Sequence, residues 1–343
     1  MKKILIVALA FFCSAGCARP PEPVQEKTVR ILWAKWAPSD YLQTLSEEFT
    51  RETGIRVVVD QVPWDDFYGR FFNHAHDYDM VGGDSQWLGR GAVDGIYVNL
   101  SKWVIDHKVD QTMTEATVTG YCEYPRHSRH YWAVPLMGDA MGFAYRKDLF
   151  EDPGEKAAFK TKYGYELGIP GTWPQLCDIA EFFYRPEKDF YGVNVWASSD
   201  YDGITMGVET LIWAWGVDLG DQKTYRVKGV LNVPASAEAL EMYKKLHALG
   251  APEWAHAYMD INSAFISGKT SMVMSYFAFF PDLLDPKKNP YASVTGFFAN
   301  PHGPNGRYSS LGGQGLSIIT SSRRKEECLK FLEWFIREDV QKE

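Results

Sequence analysis

Apolar positions along the chain switch repeatedly between the spacing of a strand and that of a helix. Val29 to Ala34 is a short β-rich run, and Asp40 to Thr53 carries Leu42, Leu45 and Phe49 on one helical stripe, stopped by Gly54. Ile55 to Asp60 reads as the next strand, Trp64 to His76 as a helix, Tyr78 to Val81 as extended, and Gly82-Gly83-Asp84 as a turn. Strand, helix, strand, helix, strand implies an α/β fold with a mainly parallel sheet, whose ligands gather outside the carboxyl ends of the strands. Three strand ends, Trp33 to Asp40, Gln61 to Asp65 and Asp84 to Trp87, each hold a Trp and a carboxylate.

The stretch YWAVPLMGDAMGFAYRKDLF, Tyr131 to Phe150, places two apolar runs on either side of a Gly138-Asp139 break. This pattern predicts a crossover between two lobes, with a cleft where they meet. Beyond it, Thr172 caps a helix from Trp173 to Tyr184 with Pro174 in its first turn, and Tyr191 to Trp196 is extended. Gly203 to Trp215 reads as a helix with Ile204, Val208, Leu211, Ile212 and Trp215 inward. Ala235 to Leu249 reads as another, with Leu240, Tyr243 and Leu246 inward and Gly250 ending it. A short helix at Asn262 to Ser267 and strands at Thr270 to Ser275 and Val294 to Phe298 follow. LGGQGLSIIT, Leu311 to Thr320, repeats the glycine break beside an apolar strand and reads as the return crossing. A helix from Arg323 to Arg337 then packs back on the first lobe.

Length and composition fit two domains, since 343 residues exceed what a single core accommodates. With 36 Lys+Arg against 44 Asp+Glu, a formal net charge of -8 and no basic block, nucleic acid is excluded as a partner. The N-terminus is a secretory leader: Met1-Lys2-Lys3, the apolar run Ile4 to Phe12, and the small-residue site Ser14-Ala15-Gly16-Cys17. RPPEPVQEK, Arg19 to Lys27, has the composition of a tether. Cys122, Cys177 and Cys328 form no metal or redox motif and read as buried thiols or one bridge. His74, His76, His127 and His130 read as solvated rather than metal-binding. Neither GxxxxGK[ST] nor GxSxG occurs.

Six segments in order carry a resemblance: FTRETGIRVVV, DYDMVGGDSQWLG, PLMGDAMGFAYRKDLF, GTWPQLCDIAEFF, AFISGKTSMVMSYF and LGGQGLSIITSSRRKEECLKFLEWF. From Val29 onward the chain is similar to extracellular solute-binding proteins of the maltose-binding type. The resemblance implies a two-lobed periplasmic-binding-protein fold of type II with hinge strands. It assigns residues 29–137 plus 315–343 to the N-terminal lobe and 138–314 to the C-terminal lobe. The implied function is that of a monomeric, non-enzymatic receptor without cofactor or metal, handing a sugar to the permease of an ATP-driven importer. Such proteins usually continue beyond the point matching Glu343, so the resemblance also implies a chain shortened at its C-terminus. The leader resembles that of a bacterial lipoprotein, which implies removal of residues 1–16, lipidation of Cys17, a membrane anchor through a tether over 17–28, and a periplasmic or cell-surface location.

A sugar presents apolar C–H faces and a ring of hydroxyls, so its site needs flat aromatic surfaces together with carboxylate or amide groups. Asp84 matches the family position at which an acid binds hydroxyls, and equally suits a cap on the helix Ser85 to Arg90. Gln86 and Trp87 share its turn, with a core anchor as the alternative for Trp87. Trp36 and Trp64 are candidate stacking platforms, or simply covers on the sheet. Asp139 lies in the crossover, as a ligand contact or a turn residue. On the second lobe Trp213 is the better cleft candidate of the pair Trp213 and Trp215, and Tyr276 follows a strand end. Gln314 sits in the return hinge. Trp173 reads as a helix-start packing residue, and Trp103, Trp132 and Trp334 as core. Two other functions fit the same residues: a polyamine receptor of related fold, and a secreted glycoside hydrolase using Asp84 and Asp139.

Overall fold

The computed structural model describes residues 27–199, 203–221, 223–256 and 260–342. The leader, Cys17 and the tether up to residue 26 lie outside the described residues. The chain opens as β1 (Thr28–Ala34), α1 (Ala37–Thr53), β2 (Arg56–Val62), α2 (Trp64–His74) and β3 (Met80–Asp84). It continues with α3 (Glu115–Tyr121), β4 (Val134–Gly138) and β5 (Met141–Arg146). There follow α4 (Trp173–Phe183), β6 (Tyr191–Asn194), α5 (Gly203–Ala214), α6 (Pro234–Ala248), β7 (Thr270–Tyr276), β8 (Thr295–Ala299), β9 (Gly313–Ile318) and α7 (Lys325–Phe335). Shorter helices and turns join these elements.

Local chemistry sets the helix ends. The Ser39 hydroxyl accepts the Trp36 N–H at 3.3 Å and donates to the Trp36 carbonyl at 2.8 Å, fixing the start of α1. Gly54 ends that helix with φ 71°, and its N–H donates to the Thr50 carbonyl. At α4, Thr172 and Gln175 cap each other reciprocally, as the Thr172-Trp173-Pro174 sequence predicts.

Two sheets result, ordered β2-β1-β3-β9-β4 and β6-β7-β5-β8. The chain leaves the first sheet at β4, enters the second at β5, and returns at β9. The expected mainly parallel sheet is confined to β2-β1-β3, because β9 runs antiparallel to both β3 and β4. The second sheet is mixed as well: β5 is antiparallel to β7 and β8, and β6 is parallel to β7.

Gly82-Gly83-Asp84, expected as a turn, is strand. Gly82, Gly83 and Asp84 pair with Leu316, Gly315 and Gln314. Glycine is needed there because both faces are crowded. A Cβ on Gly82 would lie 2.7 Å from Leu136 and 2.9 Å from Trp33, and one on Gly83 would lie 2.7 Å from the Tyr97 hydroxyl.

Each sheet has its own core. Trp33, Phe49, Phe67 and Phe71 are buried around the first, joined by Cys328, Phe331 and Leu332 of α7. Phe143, Trp173, Phe183 and Phe265 are buried around the second. Trp334 is buried as expected, whereas Trp103 and Trp132 are only partly buried against the first core. Two helix faces differ from their apolar patterns. Ile204 on α5 and Leu240 on α6 are exposed, while Met206 and Thr210, and Ser236 and Ala239, are buried instead. Cys122, Cys177 and Cys328 are buried free thiols. His74 and His76 both face Asp77, and no cluster suited to a metal ion occurs among the described residues.

Candidate functional site

A cavity of ≈ 770 Å³ opens between the two sheets, at the carboxyl ends of β1, β2 and β3. Its size lies in the ordinary range for small-molecule sites, about 300–1,000 Å³. From the first-sheet side come Trp36, Trp64, Asp84 and Gln86; from the other, Trp213 and Tyr276. The two crossings add Asp139 and Gln314.

Trp87 is the exception among the residues singled out in the sequence. It is buried, with its ring stacked on Phe71 at 6.0 Å and edge-on to Phe67 at 5.0 Å. The one-turn helix after Asp84 points its Trp into the first core and leaves Ser85 and Gln86 on the cavity.

Trp36 is the centre of an aromatic wall. Its ring meets Trp33 at 5.8 Å, Trp64 at 5.5 Å and Phe279 at 6.1 Å. Phe279 belongs to the turn after β7 and packs on both cores, so the wall continues across the cleft to Trp196 and Tyr276. The Trp36 indole N–H and the Gln314 side-chain carbonyl are both buried without a protein partner among the described residues. Buried polar groups are normally paired, and leaving one unpaired costs about 1–3 kcal/mol.

Asp84 caps the turn that follows it and also lines the cavity. It is nearly buried at the end of β3, its Oδ1 accepts the Gln86 N–H at 3.1 Å, and it lines the cavity. Asp139 ties the outgoing crossover to the second sheet. Its carboxylate accepts the N–H groups of Ala140 at 2.8 Å and Ala278 at 3.1 Å. Its own N–H donates to the Gly312 carbonyl at 2.9 Å. The Tyr121 hydroxyl adds bonds to the carbonyls of Asp139 and Gly312, so one phenol touches both crossings.

Burial pushes the Asp139 carboxyl up from 3.8 to about 7, against the lowering effect of the N–H donors. A carboxyl raised in this way holds a proton that the unfolded chain releases. Its stabilising contribution is therefore complete below about pH 4 and is lost as pH climbs through about 7. Asp139→Asn keeps an acceptor for both N–H groups and removes the titration. Scanning calorimetry should show a flatter decline in melting temperature across that window for the variant. An unchanged slope would mean that Asp139 is not the group responsible.

Residues not singled out in the sequence complete the cavity. Thr205 and Glu209 precede the candidate Trp213 at spacings of four and present, with it, one face of α5 to the cavity. That i, i+4 spacing was a readable signal. Trp196 follows the end of β6, the same placement that marks Trp36 and Trp64 in the first sheet. Arg126, Asp218, Ser309 and Ser310 arrive on loops, where no local pattern announces them. The arrangement offers flat rings, carboxylates and an amide converging on one space, which suits non-covalent capture of a polyhydroxylated molecule.

Known proteins match this chain widely. A probable amino-acid ABC-transporter periplasmic-binding protein of Sinorhizobium fredii is 19% identical over 340 residues, covering 96% of this chain and 73% of the relative. The mannitol-binding protein of Pseudomonas aeruginosa is 26% identical over 208 residues, 59% of this chain and 44% of the relative. An ABC-transporter solute-binding protein of Agrobacterium radiobacter, solved with ribitol, superposes with a TM-score of 0.77 at 22% identity, covering 94% of this chain and 79% of that one. The profile of the bacterial extracellular solute-binding proteins matches residues 34–342, and the chain belongs to that family.

Proposed function

We propose that the protein captures a sugar or polyol between its two lobes and delivers it, unchanged, to the permease of an ATP-driven importer. The family consists of substrate-binding receptors rather than enzymes. The observation that carries the polyhydroxylated ligand is the meeting, in one cavity, of Trp36, Asp84 and Gln314 from the first-sheet side with Trp213 of α5 from the other. The rings cover C–H faces, and the acid and amide take hydroxyls. The relatives solved with ribitol or named for mannitol support the same reading.

In this reading residues 29–137 with 315–343 form one lobe and 138–314 the other. The crossings held by Tyr121 and Asp139 are the hinge, and ligand contacts from both sides favour the closed state by their differential affinity. Lipidation of Cys17, a monomeric state, and a periplasmic or surface location belong to the same proposal. The polyamine and glycosidase readings are not favoured by the family or by the relatives' ligands.

A thermal-shift screen of the purified protein tests this, using ribitol, mannitol, glucose, maltose, spermidine and common amino acids, with product analysis of every hit. A ligand at about a thousand times its Kd adds about 4 kcal/mol. The expected result is a raised melting temperature with an intact sugar or polyol. Stabilisation by spermidine or an amino acid alone, or a cleaved sugar, would overturn the proposal.

A further inference from the structure

Among the described residues four carboxylates line the cavity, those of Asp84, Asp139, Glu209 and Asp218, against a single guanidinium, Arg126. Three of the four are held by main-chain donors. Gln86 serves Asp84, Ala140 and Ala278 serve Asp139, and the Leu219 N–H meets Asp218 at 2.7 Å. Glu209 differs. It stands in the middle of α5, where the backbone N–H groups are committed to the helix, and no donor reaches it from the described residues. It is half-buried, and burial raises its carboxyl above the ordinary value without an opposing partner.

An open cleft lets water solvate such a carboxylate. Closure on a ligand strips that water, and the ligand must then supply what the protein does not. A neutral hydroxyl brings one donor and no charge, whereas an ammonium brings three donors and a full countercharge. Trp213 lies one turn further along the same helix face, where its ring can also receive a cation.

We propose, resting on the sugar reading above, that Glu209 and Trp213 form a cation subsite and that the ligand is a sugar or polyol bearing a protonated amine. Glu209 is then the residue that separates an amino sugar from its hydroxyl counterpart. The three N–H-held carboxylates are left to the hydroxyls.

Titration calorimetry at about pH 6.5 and low salt, with the purified protein, compares matched pairs: glucose with glucosamine, galactose with galactosamine, mannose with mannosamine, and sorbitol with its 1-amino-1-deoxy analogue. One charge-assisted contact of about 1.4 kcal/mol corresponds to a tenfold preference. In at least one pair the amine is expected to bind about tenfold tighter than the hydroxyl compound, with that ratio collapsing to within about twofold in Glu209→Gln. The ligand-free melting temperature of the variant, expected at or above that of the wild type, shows that its fold is intact. Equal or tighter binding of the hydroxyl member in every pair would overturn the cation subsite and leave the sugar reading standing. An unchanged ratio in Glu209→Gln would remove Glu209 from the role. Failure of every compound to bind would overturn both proposals.

Discussion

Replacing Asp84 by alanine is expected to weaken sugar or polyol binding by about ten- to a hundredfold. The estimate follows from a hydrogen bond to a charged group, worth about 1.5–3 kcal/mol, with each 1.4 kcal/mol being a factor of ten. The residue is only 8% exposed, at the end of β3 and opposite Gln314 on β9, so a hydroxyl bound there is shielded from competing water. Asp84→Ala also removes the acceptor for the Gln86 N–H, which confounds binding with local order. Asp84→Asn separates the two effects, because it preserves an acceptor for that N–H and removes the charge. The asparagine variant should lose less affinity than the alanine one while melting like the wild type. Titration calorimetry with the ligand found by thermal shift decides the matter: an unaltered Kd in Asp84→Ala would remove Asp84 from the site.

Phe331→Ala should destabilise the first lobe by about 3–5 kcal/mol, the range for truncating a buried aromatic ring. Phe331 is fully buried on α7, edge-on to Phe49 of α1 at 5.1 Å and beside Trp334 at 5.5 Å. The ring thus joins α1 to α7, and the rigid neighbours leave little room for collapse into the cavity created. Urea unfolding followed by tryptophan fluorescence measures the loss. A change below about 1 kcal/mol would show that α7 rests on the surface rather than completing the core.

Much of this architecture is legible in the residues, and the exceptions have physical causes. The alternation through β1, α1, β2 and α2 survives because the helices bury a one-sided apolar stripe and β1 is a short run of buried apolar residues, and Gly54 marks its helix end by a left-handed φ that glycine adopts without strain. The parallel reading of the first sheet fails at β9, whose insertion between β3 and β4 depends on residues far away in the sequence. Gly82-Gly83 misleads for a related reason. Two adjacent glycines favour a turn locally, but the packing of Trp33, Tyr97 and Leu136 demands side-chain-free strand there.

The site follows the same division. Trp36, Trp64, Asp84 and Gln86 are found because strand ends of an α/β sheet are marked by their position. Trp87 takes its core-anchor alternative because one turn of helix rotates it into the core. On α5 the apolar stripe suggests Ile204 as an inward residue, yet it is exposed, while Glu209 and Trp213 face the cavity. A helix that borders a water-accessible cleft does not order its faces by hydrophobicity alone. Phe279 and the Ser309-Ser310 pair enter through tertiary approach and carry no local signature.

The placement of β9 in the interior of the first sheet also dictates an order of events during synthesis. The second sheet is built from β5 to β8, a continuous stretch that is available to fold as soon as β8 has emerged. The first sheet cannot close until β9 arrives, because Met80 on β3 waits for Ile318 as its partner. Closing so long a loop is entropically costly and slow. A chain threaded from its N-terminus thus carries its leading lobe as an incomplete sheet until Gly313–Ile318 have emerged, and the second sheet assembles ahead of it.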